Sequence, residues 1–116
     1  VRWTALTNDK GVGVLAVGEP LLSVNAKHYS NEDITSTDGP GPKHWYLIPR
    51  RDNVYLNLDY RQMGVGGDDS WGARTHPQFT LPGTEKYGYS YYLYPYESSM
   101  GEIQKVARSI QAESSN

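Results

Sequence analysis

A glycine-rich run with two carboxylates and an indole is the part of this sequence best suited to chemistry. The run Met63–Trp71 contains, after its methionine, the candidate residues Gly64, Gly66, Gly67, Asp68, Asp69, Ser70 and Trp71. Glycine permits backbone conformations that are closed to other residues, at an entropic cost in folding. Because a loop that accepts this cost usually has to place a side chain accurately, we expect the three glycines and Asp68–Ser70 to position Trp71.

The adjacent carboxylates of Asp68 and Asp69 have three interpretations. An acid/base pair for glycoside hydrolysis needs two carboxylates roughly 5 to 9.5 Å apart across the bond, which neighbours in one loop rarely provide. A metal site needs more ligands than two acids without other acids or histidines nearby. The sequence favours the third interpretation, in which one aspartate accepts backbone N–H bonds and caps the loop.

Catalytic and metal patterns that use the three histidines are weaker still. A triad of Ser70, His76 and Asp69 can be drawn, but no strand-turn-helix elbow accompanies it. The histidines are widely spaced and give no zinc pattern. We therefore expect surface or loop histidines, and we assign no catalytic residue and no metal ligand in this chain.

Trp71 itself has two interpretations that composition leaves open. An exposed indole at a loop tip offers a flat apolar face to the C–H face of a sugar ring, with an N–H donor at its edge. Alternatively, the ring folds back onto a sheet as a packing anchor.

Three stretches of the chain resemble the C-terminal domain of LacZ-type bacterial β-galactosidases, members of glycoside hydrolase family 2. These stretches are Val1–Thr7, Tyr60–Gly72 and Ala73–Phe79. The resemblance implies a parent enzyme that hydrolyses terminal β-D-galactosides such as lactose by a retaining mechanism. It also implies that Trp71 reaches into the active site of a central barrel and stacks on the substrate, mainly at the aglycone side. The two catalytic glutamates, with magnesium and sodium ions beside them, are then expected elsewhere in the parent, and no cofactor is expected in this chain.

Short strands linked by turn signals predict an all-β fold class, an antiparallel β-sandwich with one C-terminal α-helix. The resemblance sharpens the sandwich to the supersandwich type similar to galactose mutarotase, incomplete here, whereas the C-terminal helix is predicted from the sequence pattern and not from the family. Residues 1–97 are expected to supply the latter half of the sandwich, and residues 98–116 an amphipathic helix and tail. Because the chain starts at Val1 in strand-like sequence, without an initiator methionine or targeting segment, we expect a fragment of a longer protein.

Local patterns predict the elements that position the loop. Period-two alternation predicts strands over residues 2–7, 12–17, 21–27, 53–63 and 87–96. The turn residues Asn8–Gly11 predict a hairpin, and Ser30 with Asp33 predicts a short helical turn over 30–34. The breaker run Asp38–Pro42 predicts a loop. The basic cluster of Lys43, Arg50 and Arg51 is expected to be solvated.

The C-terminal segment has the pattern of an amphipathic helix. Its apolar residues recur with the spacing i, i+3, i+4, i+7: Ile103, Val106, Ala107 and Ile110. Ser99 and Glu102 have the spacing of a capping box. We therefore predict a helix from about Met100 to Gln111.

Composition limits the partners. The chain has 116 residues, no cysteine and a formal net charge of −2. This charge argues against nucleic acid, and no apolar run is long enough for a membrane span. The absence of cysteine excludes disulfides and thiolate metal sites. The expected partners are a galactoside, the rest of the parent chain and, as implied by the resemblance, further copies in a homo-oligomer. A bacterial cytoplasm and a periplasm both fit.

Two other functions use the same residues. A free-standing carbohydrate-binding module predicts sugar affinity for the isolated chain, whereas one aromatic wall without a pocket predicts little. A purely structural domain predicts that Trp71 contributes to stability alone.

Overall fold

The computed structural model describes residues 1–35 and 44–114 and shows mostly antiparallel β-structure with a C-terminal helix. The strands and α-helices within these residues are β1 (Trp3–Thr7), β2 (Val12–Glu19), β3 (Ser23–Lys27), α1 (Asn31–Thr35), β4 (Tyr55–Asp59), β5 (Ser90–Glu97) and α2 (Ile103–Ser114). The predicted all-β class with a C-terminal helix is confirmed. The loop predicted over Asp38–Pro42 lies outside the described residues. No helix in the described ranges has the length and apolar composition to cross a membrane.

The chain divides into two compact units, one formed by Val1–Ser23 with Asp59–Asn116 and the other by Val24–Leu58. The first unit contains a three-stranded antiparallel sheet in the order β1-β2-β5. Most of β3 and β4, which form a two-stranded sheet, belongs to the second unit. The larger sandwich, and the division at residue 97, stay predictions.

The hairpin of β1 and β2 is confirmed, and its turn is built by local hydrogen bonds. Asn8 Oδ1 accepts the backbone N–H groups of Lys10 and Val12, each at 3.0 Å. Gly11 adopts a φ of 73°, a left-handed conformation that glycine reaches without steric cost. The turn sets the register of the two strands, with Trp3 opposite Val17.

Helix α2 covers one face of the three-stranded sheet. Leu15 and Val17 of β2 are fully buried against Ala107 of α2, and Tyr96 of β5 is 8% exposed beside them. The predicted apolar face is confirmed, because Ile103, Val106 and Ile110 pack against the same cluster.

The start predicted for α2 is wrong. Gly101 has a φ of 101°, so the backbone leaves the helical region there, and α2 begins at Ile103. Ser99 Oγ donates to Glu97 Oε1 at 2.6 Å instead of capping a helix. The carbonyl of Glu102 accepts the first N–H groups, from Lys105 at 2.8 Å and Val106 at 3.1 Å.

The observed bounds differ most from the predicted ones in two of the strands. The strand predicted over 53–63 is β4, which ends at Asp59. Beyond its end, the Tyr60 ring stacks on Tyr89 with centroids 5.8 Å apart. The strand predicted over 87–96 is β5, which starts only at Ser90, where the pairing with Glu19 begins.

In the second unit, α1 begins with the predicted cap. Ser30 Oγ accepts the N–H of Asp33 at 3.2 Å, and the Asp33 carboxylate accepts the N–H of Ser30 at 2.9 Å. Arg51 is not simply solvated, because its guanidinium donates to both carboxylate oxygens of the buried Asp33 at 2.6 and 3.1 Å. These bonds, first that of Arg51 and then that of the Ser30 N–H, hold the pKa of Asp33 well below its usual range.

Candidate functional site

The loop that presents Trp71 is closed at its root by two hydrogen bonds. We call residues 64–76 the Trp71 loop. The N–H of Gly64 donates to the carbonyl of Phe79 at 2.8 Å, and Thr75 Oγ1 donates to the carbonyl of Gly64 at 2.9 Å. The outgoing and returning segments are therefore joined directly, although β4 has already ended at Asp59.

The carboxylate of Asp69 stabilises the tip of the Trp71 loop by accepting backbone hydrogen bonds. Its Oδ1 accepts the backbone N–H of Trp71 at 2.8 Å and that of Ala73 at 3.3 Å. This is the arrangement expected of an aspartate that caps a turn. The two bonds fix the backbone on both sides of Gly72, which has a φ of 121°.

Asp68 is engaged differently from its neighbour. His76 Nε2 lies 2.9 Å from both carboxylate oxygens of Asp68. Since an ionised carboxylate only accepts hydrogen bonds, Nε2 carries the proton in this contact. The triad of Ser70, His76 and Asp69 is not formed, because the histidine pairs with Asp68, and Ser70 makes no hydrogen bond within the described residues.

The glycines of the Trp71 loop differ in how much space a side chain would have at each position. A Cβ atom on Gly67 would lie 2.4 Å from the carbonyl oxygen of Ala73, and one on Gly64 would lie 2.8 Å from Thr75 Cγ2. A Cβ atom on Gly66 would have no neighbour within 4 Å. The glycine of the loop with a left-handed φ is Gly72, which was not among the residues predicted to position Trp71, although its place directly after Trp71 was the available signal.

Trp71 lies at the loop tip and is 95% exposed. Its ring makes no stacking or side-chain hydrogen-bond contact with the part of the chain that the structure describes. The indole is therefore not folded back onto the sheet in this chain. A free aromatic face held on a hydrogen-bonded loop is suited to stacking against the C–H face of a sugar ring.

A second group of aromatic side chains lies in the same unit. Tyr60 stacks on Tyr89, and Tyr89 on Tyr91 with centroids 6.0 Å apart. The Arg61 guanidinium lies 4.7 Å from the Tyr60 ring centroid and 5.6 Å from that of Tyr87. Burial and the nearby negative charge of Glu85 raise the pKa of Tyr87. These rings pack on one another, which a half-covered sheet edge explains without a ligand.

The carboxylates of the site are not arranged for catalysis or metal binding on their own. Asp68 is bound to His76 and Asp69 to two backbone N–H groups. Residues 1–35 and 44–114 contain no group of three histidine, aspartate or glutamate side chains that could hold a metal ion. The site as described can bind and orient an apolar ring face.

Comparisons with known proteins agree on one family. The family model described as the beta galactosidase small chain matches residues 1–93. A beta-galactosidase of Priestia megaterium is 43% identical over 95 residues, which are 82% of this chain and 9% of that protein. Beta-galactosidase BgaC of Bifidobacterium adolescentis is 34% identical over 85 residues, 71% of this chain and 8% of that protein. The chain thus spans less than a tenth of the length of these two relatives. No solved structure matches it.

Proposed function

The chain belongs to the beta-galactosidase small-chain family, and on this premise we propose that it is one segment of a β-galactosidase. In this proposal the parent enzyme cleaves terminal β-D-galactosides such as lactose with retention, and this segment supplies a non-catalytic aromatic wall of the active site. The observation that carries the proposal is Trp71, whose ring is 95% exposed on a loop held by hydrogen bonds. The galactoside and an assembly into homo-oligomers belong to the same proposal.

The wall acts by contact with the substrate rather than by bond breaking. The indole face covers apolar C–H groups of the sugar and removes water from them, while its N–H donor stays at the ring edge. This contact orients the aglycone relative to groups supplied by the rest of the enzyme. It requires a ring that is free before the substrate arrives, which the exposure of Trp71 supplies.

The reacting groups in this proposal lie outside the segment. Asp68 and Asp69 are adjacent in the chain, and both make hydrogen bonds within the Trp71 loop. Neither is therefore proposed as an acid, base or nucleophile. Two glutamates of the parent are proposed for those roles. Magnesium and sodium ions beside those glutamates would supply charge compensation there.

The test is Trp71→Ala in the full-length enzyme, with lactose and an aryl galactoside as substrates. By analogy with bases stacked on aromatic side chains, loss of the ring removes about 1–3 kcal/mol of binding. This corresponds to a Michaelis constant raised about 5-fold to 160-fold. The effect should depend on the aglycone, and Trp71→Phe should retain part of the binding. Trp45→Ala is the matched control, because Trp45 is also exposed, at 81%, but lies in the second unit.

Each alternative function has its own outcome. Unchanged kinetics with a lower melting temperature for Trp71→Ala would make the residue a packing residue and refute the wall. Millimolar or tighter binding of galactosides by the isolated 116-residue chain would instead favour a carbohydrate-binding module. The proposal requires an unchanged melting temperature with altered kinetics.

A further inference from the structure

The contact between Asp68 and His76 joins two positions on either side of Trp71. Both carboxylate oxygens of Asp68 lie 2.9 Å from His76 Nε2. The side chains are 83% and 48% exposed, respectively. The pair therefore lies at the surface and closes the part of the loop that contains Trp71.

The position of the Trp71 ring depends on this closure. The ring is 95% exposed and has no side-chain partner among the described residues, so the loop backbone determines the place from which the indole projects. That backbone is held at Trp71 by the Oδ1 of Asp69, the residue directly after Asp68. Asp68 and Trp71 are thus connected through one short hydrogen-bonded turn.

We propose that Asp68 and His76 are positioning residues that set the aromatic wall and with it the preference for the aglycone. The inference rests on the proposed function of Trp71 and extends it to His76, which makes no hydrogen bond or ring contact with Trp71 within the described residues. The pair acts on the substrate only through the indole, so neither residue is catalytic.

Because the Asp68–His76 pair is exposed, its effect on the position of Trp71 can be measured apart from its effect on folding stability. Exposed contacts between ionisable side chains contribute little to global stability, because water competes for the same hydrogen bonds and salt screens any charge. Removal of the pair should therefore leave the melting temperature close to that of the wild type. A small displacement of a binding group can nevertheless change kinetics strongly, so the kinetic effect and the stability effect are expected to differ.

The experiment is a double-mutant cycle in the full-length enzyme. Asp68→Asn and His76→Gln are each made in the wild type and in Trp71→Ala, and KM and kcat are measured with lactose and an aryl galactoside. The control is Glu102→Gln with Lys105→Gln, since this pair at the start of α2 is similarly exposed, with its charged atoms 3.3 Å apart. In the wild type, each loop variant should raise KM by no more than Trp71→Ala does, which is about 5-fold to 160-fold, because positioning cannot contribute more than the wall itself.

The decisive result is the dependence on Trp71. If Asp68 and His76 act through the indole, their variants have no further effect on KM once Trp71 is alanine. Equal effects in both backgrounds, or effects no larger than those of the α2 control pair, would overturn the inference. Those results leave the wall itself intact, whereas unchanged kinetics of Trp71→Ala alone would refute the proposed function. If His76→Gln lowers the melting temperature, the near-isosteric Asp68→Asn decides between the outcomes.

Discussion

Replacement of Gly67 by alanine should displace the Trp71 loop, because a Cβ atom at this position has no room. It would lie 2.4 Å from the carbonyl oxygen of Ala73, 2.5 Å from its carbonyl carbon and 2.7 Å from its Cβ. The first two are backbone atoms, which cannot move aside as the end of a flexible side chain can. Ala73 is also bound to Asp69 through its N–H, so its displacement disturbs the turn that carries Trp71.

The size of the effect follows from the overlap. Contacts between non-bonded carbon and other heavy atoms are favourable at about 3.5–4.0 Å, so the backbone around Ala73 has to move by roughly an ångström. Overpacking of this kind costs about 1–3 kcal/mol. If the loop yields, the indole is misplaced, and kcat/KM falls by at most the contribution of the wall, about 5-fold to 160-fold.

The assay is steady-state kinetics of the full-length enzyme on lactose and an aryl galactoside, with a melting curve for each variant. Gly66→Ala is the matched control, because a Cβ atom there meets nothing within 4 Å and the backbone φ is not left-handed. It should leave the kinetics unchanged and stabilise the protein by about 0.4–1 kcal/mol through the unfolded state.

Equal kinetics for the Gly66→Ala and Gly67→Ala enzymes would refute this reasoning. Such a result would mean that the close approach of Gly67 to Ala73 does not determine where Trp71 lies. A loss of activity in Gly66→Ala but not in Gly67→Ala would mean that the backbone at Gly66, rather than at Gly67, determines where Trp71 lies.

Two further predictions concern the rest of the chain. The pKa of Asp33 is lowered in the folded state, so the contribution of its contact with Arg51 is present above the usual aspartate pKa of about 3.9 and is lost as the pH falls below it. Asp33→Asn should therefore reduce hydrogen-exchange protection around Arg51 at pH 7. This difference from the wild type should shrink below about pH 4. A difference that does not change with pH would contradict the contact between the Asp33 carboxylate and Arg51. Ala107→Leu should lower the free energy of unfolding, measured with urea, by about 1–3 kcal/mol, because Ala107 is fully buried. Its control is Ala112→Leu on the exposed side of α2, which should have little effect. Equal losses of stability in the two variants would mean that α2 does not pack as described.

Features set by neighbouring residues could be predicted from the sequence. Asn8–Gly11 forms the predicted hairpin turn, and Ser30 caps α1 as its spacing indicates. The apolar residues of α2 face the sheet because helical periodicity places them on one side. In the Trp71 loop, the tendency of aspartate to bind nearby backbone N–H groups anticipated the bonds made by Asp69.

Features that depend on distant residues could not be predicted in the same way. The end of β4 at Asp59 depends on where backbone pairing stops, since alternation alone continues to Met63. The Ser99–Glu102 spacing resembled a capping box, but Gly101 with its φ of 101° separates the two residues and α2 starts later. A pattern therefore predicts an element more reliably than it predicts its ends.

The family, the types of the strands and helices, and a glycine-rich loop ending in an indole could all be predicted before the fold was known. These depend on residue type and spacing over a few positions, where local hydrogen bonds and periodicity decide the conformation. Only the folded chain shows that His76 binds Asp68, that Arg51 binds Asp33, and that Gly67 rather than Gly66 needs to be glycine. Each of these depends on two chain segments meeting in space, and the distance between them is set by the folded backbone rather than by their spacing in the sequence.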